Sequence, residues 1–221
     1  MKKFFNIKSR SNNYPQYWLN YEALFKRKTT QELSNTRFVV LDTETTGFDY
    51  ERDRILSIGA VDITNYEINV ANAFEIYLQQ DHFNENTVEI HGLIQHERVD
   101  TFTEEETIPK LLQYIGNSII VAHHANFDVT MLNKMLKRHN LPPLKNRVLD
   151  TVNLYRATRI KSNLIQQDRC SLDDIAEHYA IDISDRHTAA GDALITALIF
   201  LKTTTLLQRK KELQLKHLFR L

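Results

Sequence analysis

Three short segments of the chain place acidic side chains where they could hold a metal ion. In the first, Asp42 and Glu44 stand two positions apart, directly after the apolar run 38–41. Residues two apart on a strand point to the same face of a sheet, so the two carboxylates share a face. Carboxylates this close repel each other unless a cation lies between them. Oxygen ligands of this kind favour Mg²⁺ or Mn²⁺.

The other two segments each add one acid. Asp128 follows the apolar run 119–122 and stands where a helix is expected to begin, and Asp192 follows His187 by five residues. Small residues between His187 and Asp192 would let a helix pack closely against a sheet that carries the other acids. Taken singly, each motif has a simpler interpretation, namely a solvated strand end or an acid that complements a helix dipole.

The apolar pattern predicts the elements that would position these residues. Short apolar runs predict strands at 38–41, 55–63, 70–78, 119–122 and 148–149. Helical spacing, with an acidic capping box at 171–174, predicts helices at 17–28, 107–115, 127–138, 171–179 and 188–207. We expect the early strands to be antiparallel and the later ones to return through helices as parallel strands. The chain is thus predicted to be an α/β protein with one mixed sheet.

Five motifs together closely resemble the DEDD superfamily of 3′–5′ exonucleases, in its histidine branch, which includes the epsilon proofreading subunit of bacterial DNA polymerase III. The motifs are DTETTG at 42–47, IHG at 90–92, AHxAxFD at 122–128, LDT at 149–151 and RHxAxxDA at 186–193. The companion branch has a tyrosine four residues before its last aspartate, whereas His187 here lies five before Asp192. Many relatives carry asparagine where this chain has His124, which puts a transferred hydrogen bond there in doubt.

The resemblance implies a ribonuclease H-like fold, a mixed β-sheet flanked by helices, with Asp42, Glu44, Asp128 and Asp192 as metal ligands. They would hold two divalent ions, Mg²⁺ or Mn²⁺, that clamp the attacking and leaving oxygens of an in-line displacement. His187 would act as the general base for the attacking water. The product would be a nucleoside 5′-monophosphate.

The resemblance also implies residues that meet the substrate. The loop of Thr45, Thr46, Gly47 and Phe48 would contact the terminal nucleotide through backbone groups and one apolar side chain. Phe48 would stack on a base or act as a wedge, and a plain packing role is the alternative. His91 would line the site of the terminal nucleotide, with a surface turn as the alternative.

The charge distribution divides the chain into three parts. The formal net charge is zero, but residues 1–35 and 202–221 each carry a net charge of about +5, which leaves about −10 on residues 36–201. We expect a basic, helical N-terminal extension (1–35), an exonuclease domain (36–201) and a basic C-terminal helical tail (202–221). Basic ends are compatible with phosphate backbones or an acidic protein partner. Solvated tails without a partner are the alternative.

Composition excludes several other classes of protein. Gly and Pro number only 5 and 4, which argues against collagen-like and low-complexity chains, and the single cysteine, Cys170, allows no internal disulfide. The apolar start of the chain is shorter than we expect of a signal peptide, and we expect no run to be long enough to span a membrane. The sequence therefore predicts a soluble, cytoplasmic protein with no membrane partner.

The function predicted first is a metal-dependent 3′–5′ exonuclease that trims single-stranded DNA or frayed 3′ ends in proofreading or repair. Two alternatives stay open. The same mechanism could act on RNA, as in ribonuclease T-like or oligoribonuclease-like enzymes, since a site separates the two substrates through the 2′-hydroxyl. The chain could also be a polymerase-associated module, with a DNA polymerase subunit as its partner.

Overall fold

A computed structural model describes residues 14–26, 32–80, 100–159, 170–210 and 213–221. Within these ranges six strands form a single sheet in the order β4-β3-β2-β1-β5-β6. The strands are β1 (Phe38–Thr45), β2 (Ile55–Thr64), β3 (Glu67–Leu78), β4 (Thr101–Phe102), β5 (Ile119–Ala122) and β6 (Val148–Asp150). His91 and residues 1–13, 27–31 and 211–212 of the basic ends lie outside the described residues.

The sheet is mixed, as the sequence predicted. Strand β1 pairs antiparallel with β2 and parallel with β5, while β2–β3 is antiparallel and β5–β6 parallel. The first three strands are joined by short connections, which suit antiparallel neighbours, and the later strands return through helices. The predicted fold class, a ribonuclease H-like mixed sheet flanked by helices, is confirmed.

Seven helices lie within the described ranges. They are α1 (Gln16–Leu24), α2 (Glu104–Ile115), α3 (Asn126–Arg138), α4 (Thr151–Thr158), α5 (Leu172–His178), α6 (Ala189–Lys210) and α7 (Leu215–Leu218). The sequence prediction missed α4 and β4. It also began α2 and β3 three residues too late, because the first turn of α2 and the first residues of β3 are polar or exposed and carry no apolar periodicity.

Both faces of the sheet are covered, and alternation along β1 separates them. Val39 and Leu41 pack into a core shared with α1, α2 and α3, whereas Phe38 and Val40 pack into a core shared with α6 and α7. Residues two apart lie on the same face, so Asp42 continues the face that packs on α6. The sequence thereby directs the acids of β1 towards this helix.

A glycine lets α6 approach the sheet where Asp42 lies. Gly59 of β2 is the direct partner of Asp42 across the antiparallel pair. A Cβ atom at position 59 would lie 2.2 Å from both the Ala189 carbonyl carbon and the Ala190 nitrogen. The backbone at the start of α6 therefore rests on bare strand, as the small residues before Asp192 predicted. Glycine within a strand marks a close backbone approach of this kind.

The expectation that no run is long enough to span a membrane is wrong for α6. Residues Ala189–Arg209 are long and apolar enough by length and composition alone. In the folded chain 61% of the most apolar window of this segment is buried, because the helix packs along β1 and β2. The apolar length of α6 therefore covers one face of the sheet.

We predict that Gly59→Ala destabilises the fold by about 1–3 kcal/mol, because the new methyl group forces the first turn of α6 away from the sheet. Urea unfolding of the purified variant measures this free energy. Ala71→Val, which enlarges an exposed residue of β3, is the control and should stay within about 0.5 kcal/mol of the wild type. Equal stability of Gly59→Ala and wild type would contradict the close contact.

Candidate active site

The structure brings three of the four predicted ligands into one cluster. Oxygen atoms of Asp42, Glu44 and Asp192 all lie within 4.8 Å of one another. Asp42 and Glu44 come from the end of β1, and Asp192 comes from the first turn of α6. The three residues meet because the face of β1 that carries the first two acids is the face on which α6 packs.

The fourth predicted ligand, Asp128, joins the group from the other side of β1. It lies in the first turn of α3, directly after β5, whose carboxyl end adjoins that of β1. The Thr43 N–H and hydroxyl both donate to Asp128 Oδ1, at 3.0 and 2.8 Å. Thr43, between Asp42 and Glu44, thus fixes the fourth carboxylate beside the other three.

The electrostatics of the group show four acids crowded in a partly buried place. Burial raises the pKa of Asp42 well above its ordinary value, and the charges of Asp128, Asp192 and Glu44 raise it further. Burial also raises the pKa of Glu44 to about 7, reinforced by Asp192. The pKa of Asp128 rises to about 7 through burial, against the lowering effect of its Thr43 hydrogen bonds. A nearby cation would relieve this repulsion.

The two oxygens of Asp192 have different surroundings. Oδ2 forms an ion pair with Nη1 of Arg186, whose Nε lies 2.5 Å from an oxygen of Asp173. Oδ1 is buried and accepts no hydrogen bond from the described residues. Burying a carboxylate oxygen without a hydrogen-bond donor costs free energy, and such an oxygen is suited to ligate a cation. The acids therefore fit a divalent metal ion, because they offer oxygen ligands, their negative charges are crowded, and one buried Asp192 oxygen has no hydrogen-bond donor among the described residues.

His187 is exposed and precedes α6 in a left-handed backbone conformation, φ 68°. Its backbone amide and its charge act to lower the pKa of Asp192, and its charge also lowers the pKa of Glu44. Thr188 next to it caps the helix, because its hydroxyl accepts the Gly191 N–H at 3.0 Å. His187 is therefore near the acidic cluster and open to solvent.

The predicted substrate loop follows β1 and is closed by Asp53. The Thr45 hydroxyl donates to the Gly47 carbonyl at 2.7 Å, and a Cβ at position 47 would lie 2.5 Å from a carboxylate oxygen of Asp53. Phe48 is 87% exposed, and its ring lies 5.6 Å from that of Phe127, next to Asp128. Thr45 and Gly47 therefore shape the loop, while Phe48 presents an open aromatic surface.

The two histidines after β5 differ in their contacts. His123 is held between the Thr151 hydroxyl and the Cys170 carbonyl, both at 2.9 Å, and burial lowers its pKa to about 4. The backbone N–H of His124 donates to Asp150, an aspartate that also caps α4 through the Val152 N–H. His123 therefore ties the segment before α5 to β5.

Sequence reasoning missed three residues that organise the site. Gly59 admits the start of α6, Thr43 fixes Asp128, and Arg186 holds Asp192. A glycine within an otherwise bulky strand indicates a close backbone approach, so Gly59 could have been identified from the sequence. The contacts of Thr43 and Arg186 depend on tertiary geometry.

Comparison with known proteins points to one family. The family RNase_T, described as Exonuclease, matches residues 39–200. A PolC-type DNA polymerase III of Caldanaerobacter subterraneus subsp. tengcongensis is 34% identical over 182 residues, and that of Thermotoga petrophila is 31% identical over 191. The alignments cover 81% and 86% of this chain but only 12% and 13% of those polymerases.

Solved structures share the fold. Escherichia coli exonuclease I in complex with a dT13 oligonucleotide superposes with a TM-score of 0.67 at 18% identity, over 80% of this chain and 42% of that chain. Cell-death related nuclease 4 gives a TM-score of 0.66 at 15% identity, over 80% of this chain and 66% of that one.

We predict that the metal-free protein loses stability as pH rises from 5 to 8. The folded-state pKa of Glu44, about 7, lies above its unfolded value of about 4.3, so its stabilising contribution is complete below pH 4 and is lost as pH passes 7. Glu44→Gln should reduce this loss by on the order of 1–3 kcal/mol. Denaturant unfolding with a chelator at each pH measures it.

The exposed Glu67 supplies the control, since Glu67→Gln should keep the wild-type slope. An unchanged slope in Glu44→Gln would show that Glu44 titrates near its ordinary value.

Proposed function

Because the chain belongs to the RNase_T exonuclease family, within the DEDD superfamily of 3′–5′ exonucleases, we propose that it removes nucleotides from the 3′ end of single-stranded DNA or frayed ends. The products are nucleoside 5′-monophosphates. The observation that carries the proposal is the convergence of Asp42, Glu44 and Asp192 within 4.8 Å, with Asp128 fixed beside them.

The four carboxylates are the proposed metal ligands, for two ions of Mg²⁺ or Mn²⁺. Such ions, when bound, stabilise charge on the phosphate and the leaving oxygen and make a water more acidic. The protein contributes the placement: Thr43 fixes one oxygen of Asp128, and Arg186 fixes one oxygen of Asp192. The crowding that raises the pKa values of the acids is the charge that two dications would offset.

His187 is the proposed general base. The residue is exposed and close enough to Glu44 and Asp192 for its charge to act on the pKa values of both. The imidazole accepts a proton from the attacking water as the oxygen–phosphorus bond forms and the bond from phosphorus to the 3′ oxygen breaks. The departing 3′ oxygen takes up a proton from solvent, so the shortened strand ends in a new 3′ hydroxyl.

The aromatic surface of Phe48 and Phe127 is the proposed contact for the terminal bases. Base stacking on an exposed aromatic ring accepts any sequence, as a trimming enzyme requires. Phe48 is largely exposed, and its ring lies near the ring of Phe127, the residue that directly precedes Asp128. The predicted contacts of Thr45, Gly47 and His91 with the terminal nucleotide stay part of this proposal.

Two of the similar proteins support DNA as the substrate. The relatives are DNA polymerases, and exonuclease I was solved with a DNA oligonucleotide. This chain corresponds to about an eighth of the polymerases, so a polymerase partner, proofreading or repair, and a cytoplasmic location are proposed from the sequence alone. RNA cleavage is the alternative that the substrate comparison below tests.

We expect the purified protein to shorten 5′-labelled single-stranded DNA from its 3′ end with Mg²⁺ or Mn²⁺. Matched DNA and RNA strands, read as product ladders on a gel, identify the substrate, and DNA should be cut faster. Chelator should abolish the ladder, and Asp42→Asn should lower the rate by at least about 10³-fold, because it removes a charged ligand.

The surface variant Glu67→Gln is the matched control for Asp42→Asn and should cut at the wild-type rate. A faster ladder on RNA would reassign the substrate. Full activity of Asp42→Asn or in chelator would refute the metal site.

We predict that His187→Ala lowers kcat about 10²–10⁴-fold at saturating metal, the usual effect of removing a general base. Single-turnover rates measure this effect. His124→Ala, which alters an exposed histidine in the turn after β5, is the control and should keep the wild-type rate, whereas a wild-type rate in His187→Ala would assign the base to another group.

A further inference from the structure

Arg186 is a cation that lies against the acidic cluster. Its guanidinium reaches Asp192 Oδ2 through Nη1 and Asp173 Oδ1 through Nε. The Arg186 side chain is 19% exposed and that of Asp192 8%, so this pair is shielded far better than a surface ion pair. Asp173, in the first turn of α5, is half exposed and anchors the arginine from outside the site.

The bridge that Arg186 forms between Asp173 and Asp192 gives the two Asp192 oxygens different roles. Oδ2 is held by the guanidinium, which leaves Oδ1 as the buried oxygen without a hydrogen-bond donor among the described residues. That oxygen belongs to the residue that clusters with Asp42 and Glu44. A guanidinium presents several donors in a fixed plane, so it fixes the rotation of the carboxylate that it contacts.

We propose that Arg186 is a positioning residue with two tasks. It serves as the resident cation that offsets the repulsion of the acids when no metal is bound, and it orients Asp192 so that Oδ1 stays available to ligate a metal ion. The inference rests on the proposed metal-binding role of the acids. It extends that role to a residue outside the ligand set.

The two tasks have separable consequences. Without Arg186, the metal-free protein has four crowded carboxylates and no arginine beside Asp192, whereas in the metal-loaded protein the ions supply the missing charge. A loss of stability should therefore be large without metal and small with it. If Arg186 only held α5 to α6, its removal would lower the stability of the protein equally with and without metal.

The test compares melting temperatures in chelator and in saturating Mn²⁺. Arg186→Ala should melt at least about 5 °C below wild type in chelator, and Mn²⁺ should close more than half of that gap. Arg138→Ala is the matched control, because Arg138 is a similarly shielded arginine, 26% exposed, that pairs with Glu104 near the end of α3. The gap of Arg138→Ala should be equal in both conditions.

The orienting task is tested by Arg186→Lys. Lysine keeps the positive charge but has no fork that reaches both Asp173 and Asp192. Its melting temperature in chelator should recover at least half of the loss seen in Arg186→Ala. The kcat of both variants at saturating Mn²⁺ should stay about 10-fold below wild type, with KM for the labelled strand within about twofold.

The outcomes separate the inference from the proposed function. If Mn²⁺ does not raise the melting temperature of the wild type, the metal site itself is refuted. If Mn²⁺ stabilises the wild type but Arg186→Ala behaves like Arg138→Ala, only the role of Arg186 is refuted. Wild-type kcat in Arg186→Lys would overturn the orienting task. If Arg186→Ala does not fold, Asp173→Asn takes its place, and its melting temperature should also fall further below that of the wild type in chelator than in Mn²⁺, by a smaller amount.

Discussion

Repulsion among four carboxylates at one edge of the sheet is the constraint on which this structure depends. Asp42, Glu44, Asp128 and Asp192 come from three separate elements, and burial and like charge raise their pKa values. Acids this crowded are unfavourable for folding without a cation. The free energy that holds them together must come from the two apolar cores on either side of the sheet.

Backbone contact is what keeps the acids within reach of one another. Gly59 lies opposite Asp42, and the first turn of α6 rests on it, so the helix that carries Asp192 cannot be displaced without loss of its packing along β1 and β2. Thr43 does the same for Asp128 through two hydrogen bonds. Close packing thus places charges where their mutual repulsion alone would not leave them.

The apolar pattern of the sequence predicted the mixed sheet, and the resemblance to the DEDD superfamily implied the four acids, three of which the structure brings within 4.8 Å. Apolar runs identify buried strands, and motif spacing identifies residues that follow them. The sequence did not predict α4, where Asp150 caps a short helix, or the Arg186 bridge. The bridge joins residues from α5 and the loop before α6, and only the packed structure determines which carboxylates face that guanidinium.

Because the proposed ligands lie far apart in the sequence, a bound ion would also have a structural effect. Asp42 and Asp192 lie 150 positions apart in the chain, yet their oxygens lie within 4.8 Å of each other. An ion held between them would act as a cross-link that closes a long loop of the chain. Such closures limit the conformations open to the unfolded chain. The chemistry that cuts nucleic acid would then also fasten the first strand to the last long helix.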